Sequence, residues 1–227
     1  MLWNETQVRD NVRNREGKRI FYLHKGDQLT SGARDFLTRE RISILPAEQA
    51  KPENYRLLNG GILEKKPEHM THLNGEILVE KSHPRIVFRG KLDTLEAELI
   101  LCQLTVESLA PQIGEILALA RRILRCEVLQ EPLAEEKLCG LTEEEQRKRS
   151  HFPQDYYGQP HFMPEWEDGM AIARLNRARC AAREAELAAV AAFVTRDGQV
   201  QRPDILKALN RMSSMLYILM IQWKSKL

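Results

Sequence analysis

The sequence has few of the features that mark secreted, metal-binding or strongly charged proteins. Among its 227 residues are four cysteines, at positions 102, 126, 139 and 180, which form neither a Cys-x-x-Cys nor a Cys/His metal spacing. We therefore expect reduced, mostly packed thiols and a cytoplasmic protein. The formal net charge is only +2, and this balance argues against a protein that binds nucleic acid mainly through electrostatic attraction.

Long apolar runs are missing as well. The longest run, residues 215–221, is too short to span a bilayer, and residues 1–18 contain no apolar segment. We therefore expect neither a membrane span nor a secretory signal. Apolar residues make up 43% and charged residues 29% of the chain, which is ordinary for a globular protein. The length suits one moderate domain, or a domain with a small appendage.

Several catalytic motifs are also absent from the chain. There is no GxxxxGK[ST] phosphate loop, no Glu-x-x-His pair on a predicted helix and no serine nucleophile elbow. These absences argue against P-loop NTPases, di-iron carboxylate bundles and common hydrolases.

The stretch Met170–Val194 predicts a long helix around which the rest of the chain is organised. At about 100° per residue, one stripe of this helix mixes apolar and charged residues. Its members are Ile172, Leu175, Arg179, Ala182, Arg183, Glu186, Val190 and Phe193. We expect this stripe to be buried at the centre of a bundle, where the charges require partners because desolvating an unpaired ion costs several kcal/mol.

The alternative for these charges is a solvated, salt-bridged helix face, which is the commoner arrangement. The last predicted helix, from Pro203 to about Lys224, favours a site instead, because polar residues interrupt its apolar run in the same way. These residues are Asn210, Arg211, Ser213 and Ser214.

A loop near the N-terminus has the donors that a phosphate requires. It follows a predicted strand over Arg19–His24 and contains Lys25, a glycine, Asp27 and Thr30. The alternative is a β-turn followed by an N-cap, with Thr30 or Ser31 capping a helix over residues 32–39 before a strand over residues 42–45.

Residues 46–75 show no sustained period, so we expect a linker or an irregular flap, in which His69 and His72 are loop residues or polar contacts to a ligand. Beyond it, a helical stripe begins at Leu92, with Asp93 and Glu96 in the pattern of a capping box. A second helix is predicted over residues 112–129.

Residues 130–165 form a long polar insertion with a short helix predicted over residues 142–149. Its aromatic and histidine residues favour a function over disorder. The predicted fold class is all-α, a four- or five-helix bundle with a small N-terminal αβ segment; the predicted domains are residues 1–75 and 76–227. Two arginines, a lysine loop and an aromatic flap suit a nucleotide beside a planar partner.

Four segments carry a resemblance to a known family: residues 67–93, the insertion around 147–162, the helix around 179–186 and residues 202–220. Over most of its length the chain resembles the cobalamin adenosyltransferases, closest to the ethanolamine-utilization type and more distantly to the propanediol-utilization and mitochondrial type. The resemblance implies a homotrimer of helix bundles that transfers the 5′-deoxyadenosyl group of ATP to the cobalt of cob(I)alamin. Tripolyphosphate is released, at sites between subunits.

The resemblance also implies roles for residues of the long helix and its neighbours. Arg179, Arg183 and Glu186 match an R-x3-R-x2-E nucleotide and interface motif, of which the two arginines are the expected catalytic residues. Asp93, the third expected catalytic residue, matches an aspartate that forms a salt bridge with the first motif arginine, here Arg179, across the subunit interface. Asn210 matches an asparagine that contacts the nucleotide.

Further residues match the family less closely or more locally. Lys81 matches a phosphate-binding lysine, whereas Lys25, Asp27 and Thr30 keep only part of a T-G-D-x-G motif. Phe162 lies in the place of an aromatic segment that removes the lower axial ligand of cobalt, leaving a four-coordinate Co(II) that accepts an electron.

The implied cofactors and partners are ATP, Mg²⁺ and the corrinoid substrate, with a corrinoid reductase and ethanolamine ammonia-lyase as protein partners. Several ethanolamine-type members carry a cysteine-rich metal motif in the segment that corresponds to residues 54–70, and this chain has no cysteine there. We therefore expect no protein-bound metal centre. A bacterial microcompartment is an implied location.

Two alternatives to the transferase remain open. One is a non-catalytic, nucleotide-binding helical protein of a bacterial microcompartment, and the other is a nucleotide sensor that binds ATP without a corrinoid. A scaffold would not need to keep Arg179, Arg183, Glu186, Lys81 and Asn210 together, and the aromatic insertion argues mildly against a sensor.

Overall fold

The computed structural model describes residues 1–15, 17–49, 55–75 and 77–226. The chain divides into two compact units, Met1–Lys66 and Pro67–Leu227. Most of the described residues are helical and a smaller share lie in strands, which confirms a mostly helical protein with an αβ part. The domain boundary expected after residue 75 stays a prediction.

The first unit contains two short helices and small sheets. Its helices are α1 (Glu5–Asp10) and α2 (Ser31–Arg39). Its strands are β1 (Leu2–Trp3), β2 (Arg13–Arg15), β3 (Lys18–Leu23), β4 (Gln28–Leu29), β5 (Ser43–Pro46), β6 (Tyr55–Leu57) and β7 (Ile62–Leu63). A 3₁₀ turn follows β5 at Ala47–Gln49.

Strand β3 is the centre of a three-stranded sheet, antiparallel to β2 and parallel to β5. Helix α2 connects β3 to β5, and a small core lies beneath it, formed by Val8, Phe21, Ala33, Phe36, Leu37 and Ile42. Trp3 packs edge-on against Phe21 with the ring centroids 5.3 Å apart. The strand–helix–strand order expected for residues 19–45 is present.

The second unit is built on long helices. Strands β8 (Met70–Asn74) and β9 (Ile77–Glu80) form an antiparallel hairpin at its start. Its helices are α3 (Pro84–Thr105), α4 (Ala110–Leu129), α5 (Glu143–His151), α6 (Pro153–Tyr157), α7 (Gly169–Phe193) and α8 (Pro203–Lys224). Short 3₁₀ turns lie at Glu107–Leu109 and Trp166–Asp168.

Helix α7 lies between two neighbours, packing against α3 on one side and α8 on the other, while α3 also packs against α4. The small helices α5 and α6 pack on α8. Alanine positions of α7 are buried at these contacts, and small side chains let neighbouring helices approach closely. None of the helices among the described residues is both long and apolar enough to cross a membrane.

Two expectations for residues 46–96 are wrong. Strands β6, β7 and β8 lie where a linker or irregular flap was expected, although residues 50–54 are outside the described residues. Strands this short display too few side chains to establish a period. Helix α3 begins at Pro84, with the side chain of His83 accepting a hydrogen bond from the Arg85 N–H, so Asp93 lies in the helix interior and caps nothing.

A buried carboxylate links the end of α4 to the start of α3. Glu127, near the end of α4, is 0% exposed. Its Oε1 accepts from Arg85 Nε at 2.5 Å and its Oε2 from Arg89 Nε at 2.6 Å. Arg89 also donates through Nη2 to the carbonyl of Leu73 at 2.6 Å. The cluster thereby joins α3, α4 and the β8–β9 hairpin.

The four thiols are unpaired. Burial raises the pKa of Cys102 to about 11 and that of Cys139 to about 12, with Glu98 and Glu115 respectively acting in the same direction. Both side chains are therefore neutral thiols at physiological pH.

Candidate functional site

The site is built on the antiparallel pair α7 and α8. Glu186 of α7 accepts a hydrogen bond from Asn210 of α8. Arg179, seven residues before Glu186 on α7, and Tyr217, seven residues after Asn210 on α8, line one pocket. We call these the Glu186–Asn210 level and the Arg179–Tyr217 level. Arg183 lies between the two levels on α7, four residues after Arg179.

The guanidinium of Arg179 is half-buried and oriented by a neutral partner. Its Nε and Nη2 donate to the side-chain oxygen of Asn176 at 3.1 and 2.9 Å. An amide oxygen fixes the direction of the guanidinium without neutralising its charge. Arg179 thus carries an oriented positive charge that can bind an anion.

Arg183 is exposed, and within the part of the chain that the structure describes its side chain has no hydrogen-bond or ion-pair partner. By contrast, Arg177 of the same helix is compensated, since it binds Glu184 at 2.9 Å and Glu98 at 3.2 Å. Arg183 is therefore available to an anion or to another molecule.

The expectation that Arg179, Arg183 and Glu186 lie on the buried stripe of α7 is wrong. Arg183 is exposed, and Val190, of the same stripe, is 41% exposed. The buried residues of α7 are Ile172, Leu175, Ala178, Ala181, Ala182, Ala185, Ala189 and Phe193. Burying alanine lets the helices pack closely, whereas burying the charged residues would require their desolvation, so the charges lie at the edge of the buried face.

Glu186 and Asn210 are part of a chain of side-chain hydrogen bonds across the helices. Asn210 Nδ2 donates to Glu186 Oε1 at 2.9 Å, and Arg211 Nη2 donates to Asn210 Oδ1. These two bonds fix which end of the amide faces which helix. The hydroxyls of Ser213 and Ser214 donate to the backbone carbonyl of Asn210 at 3.1 Å, so they satisfy the helix itself.

A pocket of about 450 Å³ opens at the Arg179–Tyr217 level. Its lining is His161, Phe162, Met163, Pro164, Asn176, Arg179, Tyr217 and Met220. Phe162 is half-buried, and the ammonium of Lys224 lies 5.6 Å from its ring centroid. The pocket thus brings an aromatic and apolar segment together with a charged guanidinium.

Lys224 is itself held by Asp168, with which it forms an ion pair. The hydrogen bond from Lys224 lowers the pKa of Asp168 below its usual range. The cation beside Phe162 is therefore anchored to the start of α7.

Asp93 and Lys81 are both exposed in the second unit. Asp93 lies in the interior of α3, and Lys81 follows β9, two residues before the cap of α3. Neither side chain has an ion-pair partner among the residues described, and Asp93 does not reach Arg179 within the chain.

The N-terminal residues lie in the first unit and have separate surroundings. Asp27 accepts from the N-terminal ammonium at 2.6 Å and from Trp3 Nε1 at 2.8 Å, and these bonds lower its pKa. Thr30 is the N-cap of α2, accepting from the Ala33 N–H at 3.3 Å. These contacts favour the turn and N-cap alternative for both residues.

Lys25 and Asp27 line an open depression of about 600 Å³ beyond the carboxyl ends of the parallel strands β3 and β5. The side chain of Lys25 has no partner in the described ranges. His72 lies in β8 rather than in a loop, and no cluster of three or more His, Cys, Asp or Glu able to hold a metal occurs in the described ranges.

Three residues that line the pocket were not singled out from the sequence, Asn176, Tyr217 and Met220, and neither was the contact between His161 and Tyr217. Asn176 is separated from Arg179 by one helical turn, which was a usable signal. Tyr217 lies seven residues after Asn210 on the same helix, and the length of two turns was a second signal. Nothing in the sequence pairs His161 with Tyr217.

Comparison with known proteins gives two findings. The family model described as cobalamin adenosyltransferase matches residues 62–223. The curated corrinoid adenosyltransferase EutT of Salmonella typhimurium and that of Escherichia coli K12 are each 40% identical to this chain over 144 residues. Each of these alignments covers 63% of this chain and 54% of the relative, so the match spans about half the length of those proteins.

Proposed function

This chain belongs to the cobalamin adenosyltransferase family, and from that membership we propose that it transfers the 5′-deoxyadenosyl group of ATP to the cobalt of a reduced corrinoid. The products are adenosylcobalamin and tripolyphosphate. The observation that carries the proposal is the row of Arg179 and Arg183 on α7, whose positive charges no acidic side chain of the described residues neutralises.

The reaction is a nucleophilic substitution at carbon. The electron pair of Co(I) attacks C5′ of ATP while the bond from C5′ to the triphosphate oxygen breaks, and the triphosphate leaves with that electron pair. Negative charge therefore develops on the leaving group, where Arg183 and Lys81 would stabilise it, while Arg179 would pair with Asp93 of another copy of the chain. Because Co(I) is already a strong nucleophile, no general base is required, and catalysis is mainly positioning.

We assign the Glu186–Asn210 level to the nucleoside and the Arg179–Tyr217 level to the corrinoid side of the site. Asn210 is oriented by Glu186 and Arg211, so its amide is prepared for a polar ligand group. Phe162 would provide the ring against the lower face of the corrinoid. Lys25 remains a candidate phosphate contact, with Asp27 and Thr30 positioning its loop.

We expect Mg²⁺ to accompany the phosphates of ATP. Mg²⁺ is usually bound through one or two carboxylates together with substrate phosphates, and no protein cluster suited to a resident metal lies among the described residues. Its contribution would be to neutralise phosphate charge.

The proposed assembly is a homotrimer of four- or five-helix bundles with sites between subunits. Exposed Asp93 and the uncompensated Arg179 support it, because each lacks the ion-pair partner that the other would supply across an interface. A corrinoid reductase and ethanolamine ammonia-lyase are the proposed protein partners, in the cytoplasm or at a bacterial microcompartment. A non-catalytic nucleotide-binding protein is the alternative.

The test is an anaerobic assay with chemically reduced cob(I)alamin, ATP and Mg²⁺, following the loss of Co(I) absorbance. Arg183→Ala should lower kcat/KM by about a hundredfold, as expected for loss of a leaving-group charge contact. The matched control is Arg125→Ala, which removes a surface arginine of α4 whose side chain is 70% exposed. ATP binding without turnover by the wild-type protein would support the alternative.

A further inference from the structure

A clamp holds the wall of the pocket against α8. The Nδ1 atom of His161 lies 2.8 Å from the hydroxyl of Tyr217, and its Nε2 atom lies 3.1 Å from the carbonyl oxygen of His151. The two rings are stacked, with centroids 5.6 Å apart and an angle of 13° between their planes. We call this arrangement the His161–Tyr217 clamp.

The hydrogen bonds define the protonation of the ring. A carbonyl oxygen can only accept, so Nε2 must carry the proton that it donates to His151. In the neutral ring Nδ1 is then the acceptor, and the Tyr217 hydroxyl donates to it. With both nitrogens engaged in these hydrogen bonds, neither is free to coordinate cobalt while His161 holds this position.

The clamp acts on a segment with no regular secondary structure of its own. Residues 159–165 connect α6 to the 3₁₀ turn before α7 without helix or strand hydrogen bonding. Phe162, Met163 and Pro164 of this segment line the pocket opposite Asn176 and Arg179. The position of these apolar side chains therefore depends on contacts such as those of the adjacent His161.

We propose that His161 and Tyr217 are positioning residues that fix the apolar wall Phe162–Pro164, and that this contribution acts on reduction of the corrinoid rather than on adenosyl transfer. The inference rests on the proposed transferase function. His161 and Tyr217 have no such role in the family motifs, and they take no part in the hydrogen bonds of the Glu186–Asn210 level.

The two stages of the reaction make different demands on this wall. In the first stage, cob(II)alamin accepts one electron from a one-electron reductant and becomes cob(I)alamin, which is easier once an apolar wall has displaced the lower axial ligand. In the second, Co(I), which has already lost that ligand, attacks C5′ of ATP and triphosphate departs. A displaced wall therefore slows the first stage and leaves the second nearly unchanged.

The experiment measures both stages on the same variants of the full chain. One assay supplies chemically reduced cob(I)alamin with ATP, and the other supplies cob(II)alamin with ATP and a one-electron reductant. Electron paramagnetic resonance of bound cob(II)alamin with ATP measures the four-coordinate fraction. His161→Phe keeps a ring but removes both hydrogen bonds, Tyr217→Phe removes only the hydroxyl, and His151→Ala is the control because its carbonyl remains.

We expect Tyr217→Phe to lower the rate from cob(II)alamin about fivefold, in line with one hydrogen bond. His161→Phe should lower it more than tenfold, since two hydrogen bonds are lost. Both variants should lose clearly less rate from cob(I)alamin than from cob(II)alamin, and both should show a smaller four-coordinate fraction. His151→Ala should match the wild-type protein in every assay.

Equal losses in the two assays would overturn the inference, because they would indicate a general structural effect. Unchanged rates from cob(II)alamin would overturn it as well. If His161→Phe fails to fold by circular dichroism, Tyr217→Phe still decides the question. Failure of the wild-type protein with cob(I)alamin would instead remove the transferase proposal and this inference with it.

Discussion

Asn210 donates a hydrogen bond from its amide nitrogen to Glu186 across the contact between α7 and α8, at 2.9 Å. The amide oxygen of Asn210 faces the other way and accepts from Arg211. The same side chain therefore separates a carboxylate from a guanidinium, and its two ends are not interchangeable.

A charge placed at Asn210 should disturb this pair. We expect Asn210→Asp to lower the free energy of unfolding by about 1–3 kcal/mol, because two carboxylates would then face each other and one hydrogen bond would be lost. Glu186→Gln in the same chain should recover at least half of the loss, since the new amide can donate to Asp. Urea unfolding of the wild-type chain, the two single variants and the double variant measures this coupling, and additive losses in the double variant would contradict it.

The buried carboxylate of Glu127 should be the most sensitive ionic position. Replacing Glu127 by Leu leaves the partly buried guanidinium groups of Arg85 and Arg89 without their carboxylate, so we expect a loss of about 3–5 kcal/mol in the free energy of unfolding. Arg121→Ala is the control, since it removes an ion pair with Glu96 in which the arginine side chain is 60% exposed. That change should be below about 1 kcal/mol. Similar losses for both would contradict the role of burial.

Asp204 should make stability depend on acidic pH. Burial alone would raise its pKa, but hydrogen bonds from Arg202 and from the backbone N–H groups of Leu133 and Ile205 lower it from 3.8 to about 2. The folded value is depressed, so the stabilisation is complete above pH 3.8 and is lost as the pH falls towards 2.

The matching experiment compares wild type with Asp204→Asn by urea unfolding at pH 5 and at pH 2.5. We expect the wild-type protein to be more stable by about 1 kcal/mol at the higher pH, because the group is only partly shielded from solvent. The difference should shrink at the lower pH. A difference that does not change with pH would show that the carboxylate charge is not responsible.

The proposed subunit interface predicts that the effect of a charge reversal at Asp93 is compensated by a second charge reversal at Arg179. Asp93→Arg should weaken self-association of the chain, because it would place two arginines together wherever Asp93 meets Arg179 of another copy. The double change Asp93→Arg with Arg179→Asp should restore association, although not activity. Sedimentation velocity measures the oligomer. An unchanged oligomer with Asp93→Arg would argue against this contact.

The N-terminal loop offers a test that separates capping from phosphate binding. Thr30→Ala should destabilise the chain by about 1 kcal/mol through loss of the N-cap, with no change in the KM for ATP. Lys25→Ala should leave stability unchanged and raise the KM for ATP about threefold if its charge reaches the phosphates. A raised KM with Thr30→Ala and none with Lys25→Ala would reverse the assignment.

The long helices could be predicted from the sequence because their signals are redundant. Helix α8 begins at Pro203 and ends at Lys224, as expected from a proline in the first turn and a sustained apolar period. Helix α7 ends within a residue of its predicted bounds. The predicted start of α3 was too late because Asp93 and Glu96 resemble a capping box. Phe88, one turn before Leu92, already belongs to the buried stripe of this helix.

The buried face of α7 could not be predicted from bulk alone. Alanine contributes little to a hydrophobic period, so the larger Val190, which is exposed, shifted the expected stripe towards Arg183 and Glu186. In the structure alanine positions determine the packing, and the charged residues occupy the adjacent edge. The row of Arg179 and Arg183 was recognisable from its spacing in the sequence. The His161–Tyr217 contact was not, because it joins residues 56 apart and depends on the tertiary fold.

The helical backbones of α7 and α8 hold the Glu186–Asn210 level and the Arg179–Tyr217 level at a fixed distance from each other. Seven residues separate the levels on each helix, which at about 1.5 Å per residue is roughly 10 Å along the axis. Backbone hydrogen bonds set this distance, so side-chain substitutions at one level leave the other in place, and defects in binding the two substrates are separable. An insertion behaves differently: one residue added between Arg179 and Glu186 turns one level by about 100° relative to the other.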